Sequence, residues 1–224
     1  MKKTFNLILS CLFLLFLLVP FSSCKEDFFL LNSVCYYKSD LFTAVNDQTK
    51  FTAILEKTET PLNLNGEVSS PIVNRIVISF SSIEKEKAYS ITVNLDKQLT
   101  ANFTFSDATS KYIAVIETEN LPKNEFTADL YLGSESINLK FISNLPSDTI
   151  DLVTTLKSLY SKQKTLIDEN TQNGVYRGEI FVKVSVINEK AYYYIALITS
   201  EQKIAFLIDG KSGELLATKD LPRK

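Results

Sequence analysis

The chain of 224 residues contains no histidine and no tryptophan. The first absence excludes most common catalytic kits. Ser-His-Asp and Cys-His nucleophiles, zinc sites with imidazole ligands and every imidazole general base are ruled out. Chemistry would have to rest on carboxylate pairs, lysine, tyrosine or oxygen-ligated metals. The second absence weakens a carbohydrate-stacking role. A basic excess is missing too: 24 basic residues face 26 acidic ones, a formal net charge of −2. Nucleic-acid binding rests on neutralising phosphates, so this balance argues against it. No apolar run after residue 20 approaches the length of a membrane span. Cysteine is scarce, with Cys11, Cys24 and Cys35 alone.

What is present begins with the leader. Lys2 and Lys3 precede an apolar run from Phe5 to Val19. At about 15 residues the run suits a secretory h-region and falls short of the roughly 20 that a span needs. Then come Pro20-Phe21-Ser22-Ser23-Cys24 and Lys25-Glu26-Asp27. Two small residues before a cysteine resemble a bacterial lipoprotein leader. The Phe-Ser-Ser-Cys box followed by acidic residues looks most like lipoproteins of the Bacteroidetes. The resemblance implies lipidation of Cys24, cleavage after Ser23 and acylation of the new amino terminus. Phe21 departs from the family's usual aliphatic residue at that place. The implied address is the cell envelope, at the outer membrane or cell surface rather than the inner membrane. Lipid chains contribute about 0.8 kcal/mol per buried CH₂, so several of them tether a domain durably. Two other readings stay open: an ordinary cleaved signal peptide, with Cys24 free or paired to Cys35, and an uncleaved anchor. If Cys24 is lipidated, Cys35 has no partner and reads as a small buried apolar residue.

Residues 24–34 read as anchor and short linker, although Phe28 to Ser33 are too apolar for a solvated tether. From 35 to 146 the period is two. Phe51, Ala53 and Leu55 alternate with Thr52, Ile54 and Glu56, and the same period runs through Ile76, Ile78 and Phe80, then Tyr89, Ile91, Val93 and Leu95, Phe103 and Phe105, Tyr112, Ala114 and Ile116, Phe126, Ala128, Leu130 and Leu132, and Ile137, Leu139 and Phe141. Alternation of this kind marks strands with one wet face. Turn signals such as Asn65-Gly66 and Gly133-Ser134 separate them. Close spacing predicts a mostly β protein, an antiparallel β-sandwich of immunoglobulin-like architecture. Asn102-Phe103-Thr104 matches a glycosylation pattern that a bacterial leader deprives of weight.

Residues 147–224 read as a small α+β domain. Ser147 or Asp148 is a candidate cap. Leu152, Val153, Leu156, Leu159, Tyr160, Leu166 and Ile167 recur at three and four on one face of a helix of about 22 residues. Gln163 falls inside that apolar arc and Ile150 outside it. Ile180, Val182, Val184 and Val186, then Tyr192, Tyr194, Ala196 and Ile198, then Ile204, Phe206 and Ile208 predict an antiparallel meander under the helix. The run Phe206 to Leu215, with its Asp209-Gly210-Lys211-Ser212-Gly213-Glu214 turn, resembles the end of bacterial PepSY-type domains. That likeness implies a binding or peptidase-modulating module.

Three motifs carry candidate chemistry. Ala205-x₄-Gly210-Lys211-Ser212 fits a loose phosphate-loop pattern, but strand residues flank it on both sides, so nucleotide binding is not expected. Asp168, Asn170, Gln172 and Glu179 fit a calcium-loop template with Asn173 where glycine belongs, and a helix end explains the same residues. Tyr192, Tyr193 and Tyr194 are the densest aromatic cluster and the candidate ligand patch, one of the three facing away from its neighbours. No catalytic residue, metal or cofactor is expected. The sequence thus reads as a membrane-tethered exported lipoprotein with a non-catalytic binding or structural role toward a protein, peptide or glycan. The alternative is a PepSY-like modulator of an envelope peptidase.

Overall fold

The computed structural model describes residues 28–47, 49–82 and 87–222. The leader and Cys24 lie outside them. The protein is mostly β. Strands β1 (Val34–Asn46), β2 (Thr49–Glu59) and β3 (Ile72–Phe80) form an antiparallel meander. They are followed by β4 (Tyr89–Asn94), β5 (Gln98–Asn102), β6 (Thr104–Ser106), β7 (Lys111–Thr118), β8 (Glu125–Leu132) and β9 (Glu135–Ser143). Pairing runs β6-β7-β3-β2-β1 in one layer and β5-β4-β8-β9 in the other. Strand β9 joins β1 at Phe42↔Ser143 and Thr43↔Ile142, so the layers meet along one seam. Most of the alternating residues read from the sequence point inward, while Ile137 is left exposed. Phe42, Ala53, Ile78, Ile91, Ala114, Ala128 and Phe141 fill one core between the layers. Phe126 stacks on Phe141 at 4.7 Å within it.

The second half adds helices α1 (Leu152–Lys162) and α2 (Lys164–Glu169). A two-residue hairpin, β10 (Thr171–Gln172) with β11 (Val175–Tyr176), leads into β12 (Glu179–Ile187), β13 (Lys190–Ile198), β14 (Lys203–Asp209) and β15 (Leu215–Asp220). These four pair in sequence order as an antiparallel meander. The helices cover one face, and Leu156, Leu159, Ile167, Val182, Ile195 and Phe206 make a second core.

In β13 the residues under the helices are Tyr193, Ile195 and Leu197, not the set Tyr192, Tyr194, Ala196 and Ile198 read as its apolar face. Three further features differ from the sequence reading. The helical segment starts later and carries a break. Its cap is Asp151, whose side chain accepts from Thr154 N at 2.7 Å. Residues 147–150 are drawn out of the helix by other bonds: Thr149 binds back to Pro146 O, and Ile150 N donates to Gly210 O at 2.8 Å. The break falls at Gln163 (φ −120°, ψ 31°), the polar residue inside the apolar arc. Second, residues 29–33 form a 3₁₀ turn whose Leu30 is buried in the second core, so the segment bounded as linker packs as part of the fold, in keeping with its apolar character. Third, β1 pairs in parallel with β12 from Val34↔Ile180 to Lys38↔Lys183. One strand is therefore shared by both halves, and the sheet is continuous through it.

Candidate functional site

Strand β13 divides the three tyrosines by parity. Tyr193 points under the helices, buried, and its hydroxyl donates to Ile150 O at 2.6 Å. That removes it from any ligand surface. Tyr192 and Tyr194 point to the opposite, outer face of the β12–β13–β14 sheet. There they line a shallow groove of about 490 Å³ with Phe181, Lys183, Ile187 and Leu207. Ile187 is 58 % exposed and Leu207 37 %.

The shared strand extends this surface. Tyr36 of β1 stacks on Phe181 with ring centroids 4.5 Å apart and planes within 10°. Tyr194 meets the edge of Phe181 at 6.4 Å. The Tyr36 hydroxyl donates to Glu56 Oε2 at 2.9 Å. Burial, then the Glu56 charge, pushes that phenol well above its ordinary range, so it stays protonated. Lys38 and Lys183 are direct partners across the parallel pair. Like charges directly opposite one another are unfavourable. Burial pushes the Lys38 amine down, Lys183 adds to that, and Asp40 and Glu56 offset part of it. The site is thus an aromatic and aliphatic groove beside a crowded pair of ammonium groups. It holds no nucleophile–base pair.

The other candidates are dispersed. Asp168 accepts from Tyr160 and pairs with Lys164, Gln172 accepts from Arg177 at 2.8 Å, and Glu179 is buried under a different loop. They do not converge on an ion. Among the described residues no group of three or more acidic or thiol side chains has metal-binding geometry. Lys211, of the phosphate-loop pattern, pairs with Asp148 at 2.8 Å, and β15 follows where a helix would be needed. The Asp209 turn is closed by its own backbone: Asp209 Oδ1 accepts from Lys211 N, Ser212 N and the Ser212 hydroxyl, which together hold its carboxyl below the usual range. Cys35 is buried, its thiol is pushed up to about 12, chiefly by desolvation, and it donates to Ile180 O. Such a thiol is inert as a nucleophile.

Sequence reasoning passed over Tyr36, Lys38 and Phe181. The available signal was parity. In β12 the apolar Ile180, Val182 and Val184 are buried, so Phe181 and Ile187 are apolar residues at positions where polar ones are expected. The chain matches no family model, no curated protein and no solved structure.

Proposed function

We propose that this is a lipid-tethered, exported binding protein whose outer groove takes an acidic, partly apolar peptide segment of a partner at the cell envelope. The leader with Cys24 supports the tether and the address. The groove supports the binding role. Its aromatic faces are low-entropy contact surfaces, and monomeric proteins seldom leave such a patch without use. The observation that carries the ligand class is the Lys38–Lys183 pair beside the groove, with Lys183 in its lining. An acidic side chain lying between two opposed ammonium groups relieves their repulsion, and flanking apolar side chains cover Tyr194, Phe181 and Leu207. A neutral glycan can stack on the aromatic faces but leaves the two ammonium charges unanswered. We take the first half to be a supporting two-layered sandwich, of the immunoglobulin-like kind that hosts many binding surfaces.

Two experiments test this. Intact mass of the membrane-extracted protein should show a chain starting at Cys24 with diacylglyceryl and acyl mass, lost in Cys24→Ala; an unlipidated mass rejects the tether. Fluorescence polarisation with a labelled nonapeptide alternating glutamate with leucine and phenylalanine should saturate. Lys183→Gln and Tyr194→Ala should each abolish that binding at unchanged melting temperature. No saturation, or full binding by both variants, rejects the groove. A second reading, a PepSY-like modulator of a peptidase, has in its favour the helices over a meander that closes in the Asp209 turn. Inhibition of an envelope peptidase that survives Tyr194→Ala would favour it.

A further inference from the structure

Two glutamates lie apart from the groove. Glu59 ends β2 and Glu179 opens β12, and they are 1 % and 0 % exposed. One loop, residues 60–71, roofs both. Glu59 Oε1 accepts from Ser69 N and Ser70 N, each at 2.6 Å, and from the Ser69 hydroxyl at 3.3 Å. Glu179 Oε2 accepts from Gly66 N at 2.6 Å. Gly66 is there because nothing larger fits. Its φ is +95°, and a Cβ would lie 3.0 Å from Ser200 N. The remaining oxygens, Glu59 Oε2 and Glu179 Oε1, have no hydrogen-bond partner.

Strand β1 lies between the two strand ends. Its Tyr36 pairs with Thr58, the residue before Glu59, and its Val34 pairs with Ile180. The Cys35 thiol reaches Ile180 O, the residue after Glu179. Each charge is felt by its neighbours: Glu59 helps to push the Glu179 carboxyl up, after burial, and both raise the thiol.

This arrangement is chemically one-sided. Backbone N–H donors on one oxygen favour the ionised carboxylate. A buried ionised oxygen without a partner is unfavourable unless a cation meets it. Among the described residues no lysine or arginine forms an ion pair with either. Lys203 is felt at Glu179 and offsets part of its rise without an ion pair. With both carboxyls ionised, the free oxygens present two charges that one divalent ion answers. The ligands are all oxygens, since the thiol keeps its proton, and that selects a hard cation.

We propose that Glu59 and Glu179 together hold one Ca²⁺ ion, which pins the 60–71 loop to the end of the sheet. Two carboxylates are fewer than a high-affinity cage uses, so the dissociation constant falls at about 10⁻⁴–10⁻³ M, the range of extracellular modules. The purified, chelator-stripped protein titrated calorimetrically with CaCl₂ should give saturable one-site heat. Its melting temperature should rise by about 3–6 °C in 10 mM CaCl₂. Glu179→Gln and Glu59→Gln should abolish both effects and melt no lower than the ion-free wild type. Chymotrypsin cleavage at Leu62 and Leu64 should slow about tenfold in the same buffer, a readout that needs no variant. No heat and no change in cleavage at 10 mM CaCl₂ would overturn the proposal. So would a Ca²⁺ response retained by Glu179→Gln. A loop that tightens only on acidification, with or without Ca²⁺, would also overturn it, because the two carboxyls then share a proton instead.

Discussion

Replacing Tyr193 by phenylalanine removes one oxygen from the second core and leaves the ring in place. That oxygen donates to Ile150 O at 2.6 Å, while Ile150 N donates to Gly210 O at 2.8 Å. Ile150 is therefore clamped between β13 and the turn after β14, and the clamp fixes where α1 begins. The change therefore strands the Ile150 carbonyl. A buried hydrogen bond contributes about 1 kcal/mol, and an orphaned buried partner costs about 1–3 kcal/mol. Phenylalanine also escapes the desolvation of the hydroxyl, which offsets part of this. The net loss is about 1–2 kcal/mol, or roughly 3–6 °C for a body of this size. Tyr194→Phe is the control. Its hydroxyl lies on the outer face, and the cost should stay within about 0.5 kcal/mol. Urea denaturation of both variants, followed by far-ultraviolet circular dichroism, measures the difference. Equal stability, or a larger loss for Tyr194→Phe, would mean that the parity of β13 is assigned to the wrong faces.

Other expected outcomes follow from the same geometry. Gly210→Ala should cost about 1–3 kcal/mol in the same assay, because its Cβ would meet Ala191 O at 2.6 Å and backbone cannot yield cheaply. Tyr192→Ala with Tyr194→Ala should abolish peptide capture while shifting the melting temperature by no more than about 3 °C. Asp40 is pushed up by burial, an effect that the Ser143 hydroxyl and Leu41 N–H reduce but do not cancel. The native state then keeps this proton to higher pH than the unfolded chain does. The stability it gives is complete below about pH 4 and is lost as pH rises through the folded value. Asp40→Asn should therefore flatten the decline in urea midpoint between pH 4 and 7; a parallel decline in both proteins would refute the assignment.

Much of the architecture is local in origin, and that part was legible. Period two in Phe51-Ala53-Leu55 and Ile76-Ile78-Phe80 is enough to set a face, because neighbouring side chains on a strand must point oppositely. The imperfection at Gln163 was visible as a polar residue in an apolar arc, and the helix breaks there. The cap was not legible, since Ser147, Asp148 and Asp151 all have suitable side chains. Tertiary bonds to Ile150 chose the last. The parallel pairing of β1 with β12 joins residues some 145 positions apart, and no local pattern encodes such a register. The groove suffered the same limit. Tyr192 and Tyr194 stood out by density, whereas Tyr36 and Lys38 meet the groove-lining Phe181 and Lys183 only through that distant pairing. Glu59 and Glu179 look like ordinary polar strand ends until one loop covers both.

The bulge in β1 is what permits a shared strand, and it can be tested. Pairing with β2 runs Lys38↔Glu56 and then Asp40↔Leu55, so Ser39 is the extra residue. Upstream, the free edge of β1 takes β12; downstream, the same edge takes β9 at Phe42 and Thr43. Two strands cannot occupy one straight edge at this spacing without meeting. A bulge bends its strand and increases the local twist, which sends β12 and β9 apart. Asp40 then closes the gap, accepting from the Ser143 hydroxyl at 2.6 Å, while Asn144 N donates to Leu41 O at 3.0 Å. Ser39→Ala removes only a bond of 3.3 Å to Leu55 O and should cost under about 1 kcal/mol. Deleting Ser39 keeps the inward parity of Tyr37 and Phe42 but straightens the edge. It should cost more than about 3 kcal/mol, the scale of a broken buried network. Its unfolding by urea should split into two steps as β9 or β12 lets go first. A deletion variant that unfolds in one step with the stability of Ser39→Ala would show that the bend is incidental, and that the two halves are held together by their cores rather than by the strand they share.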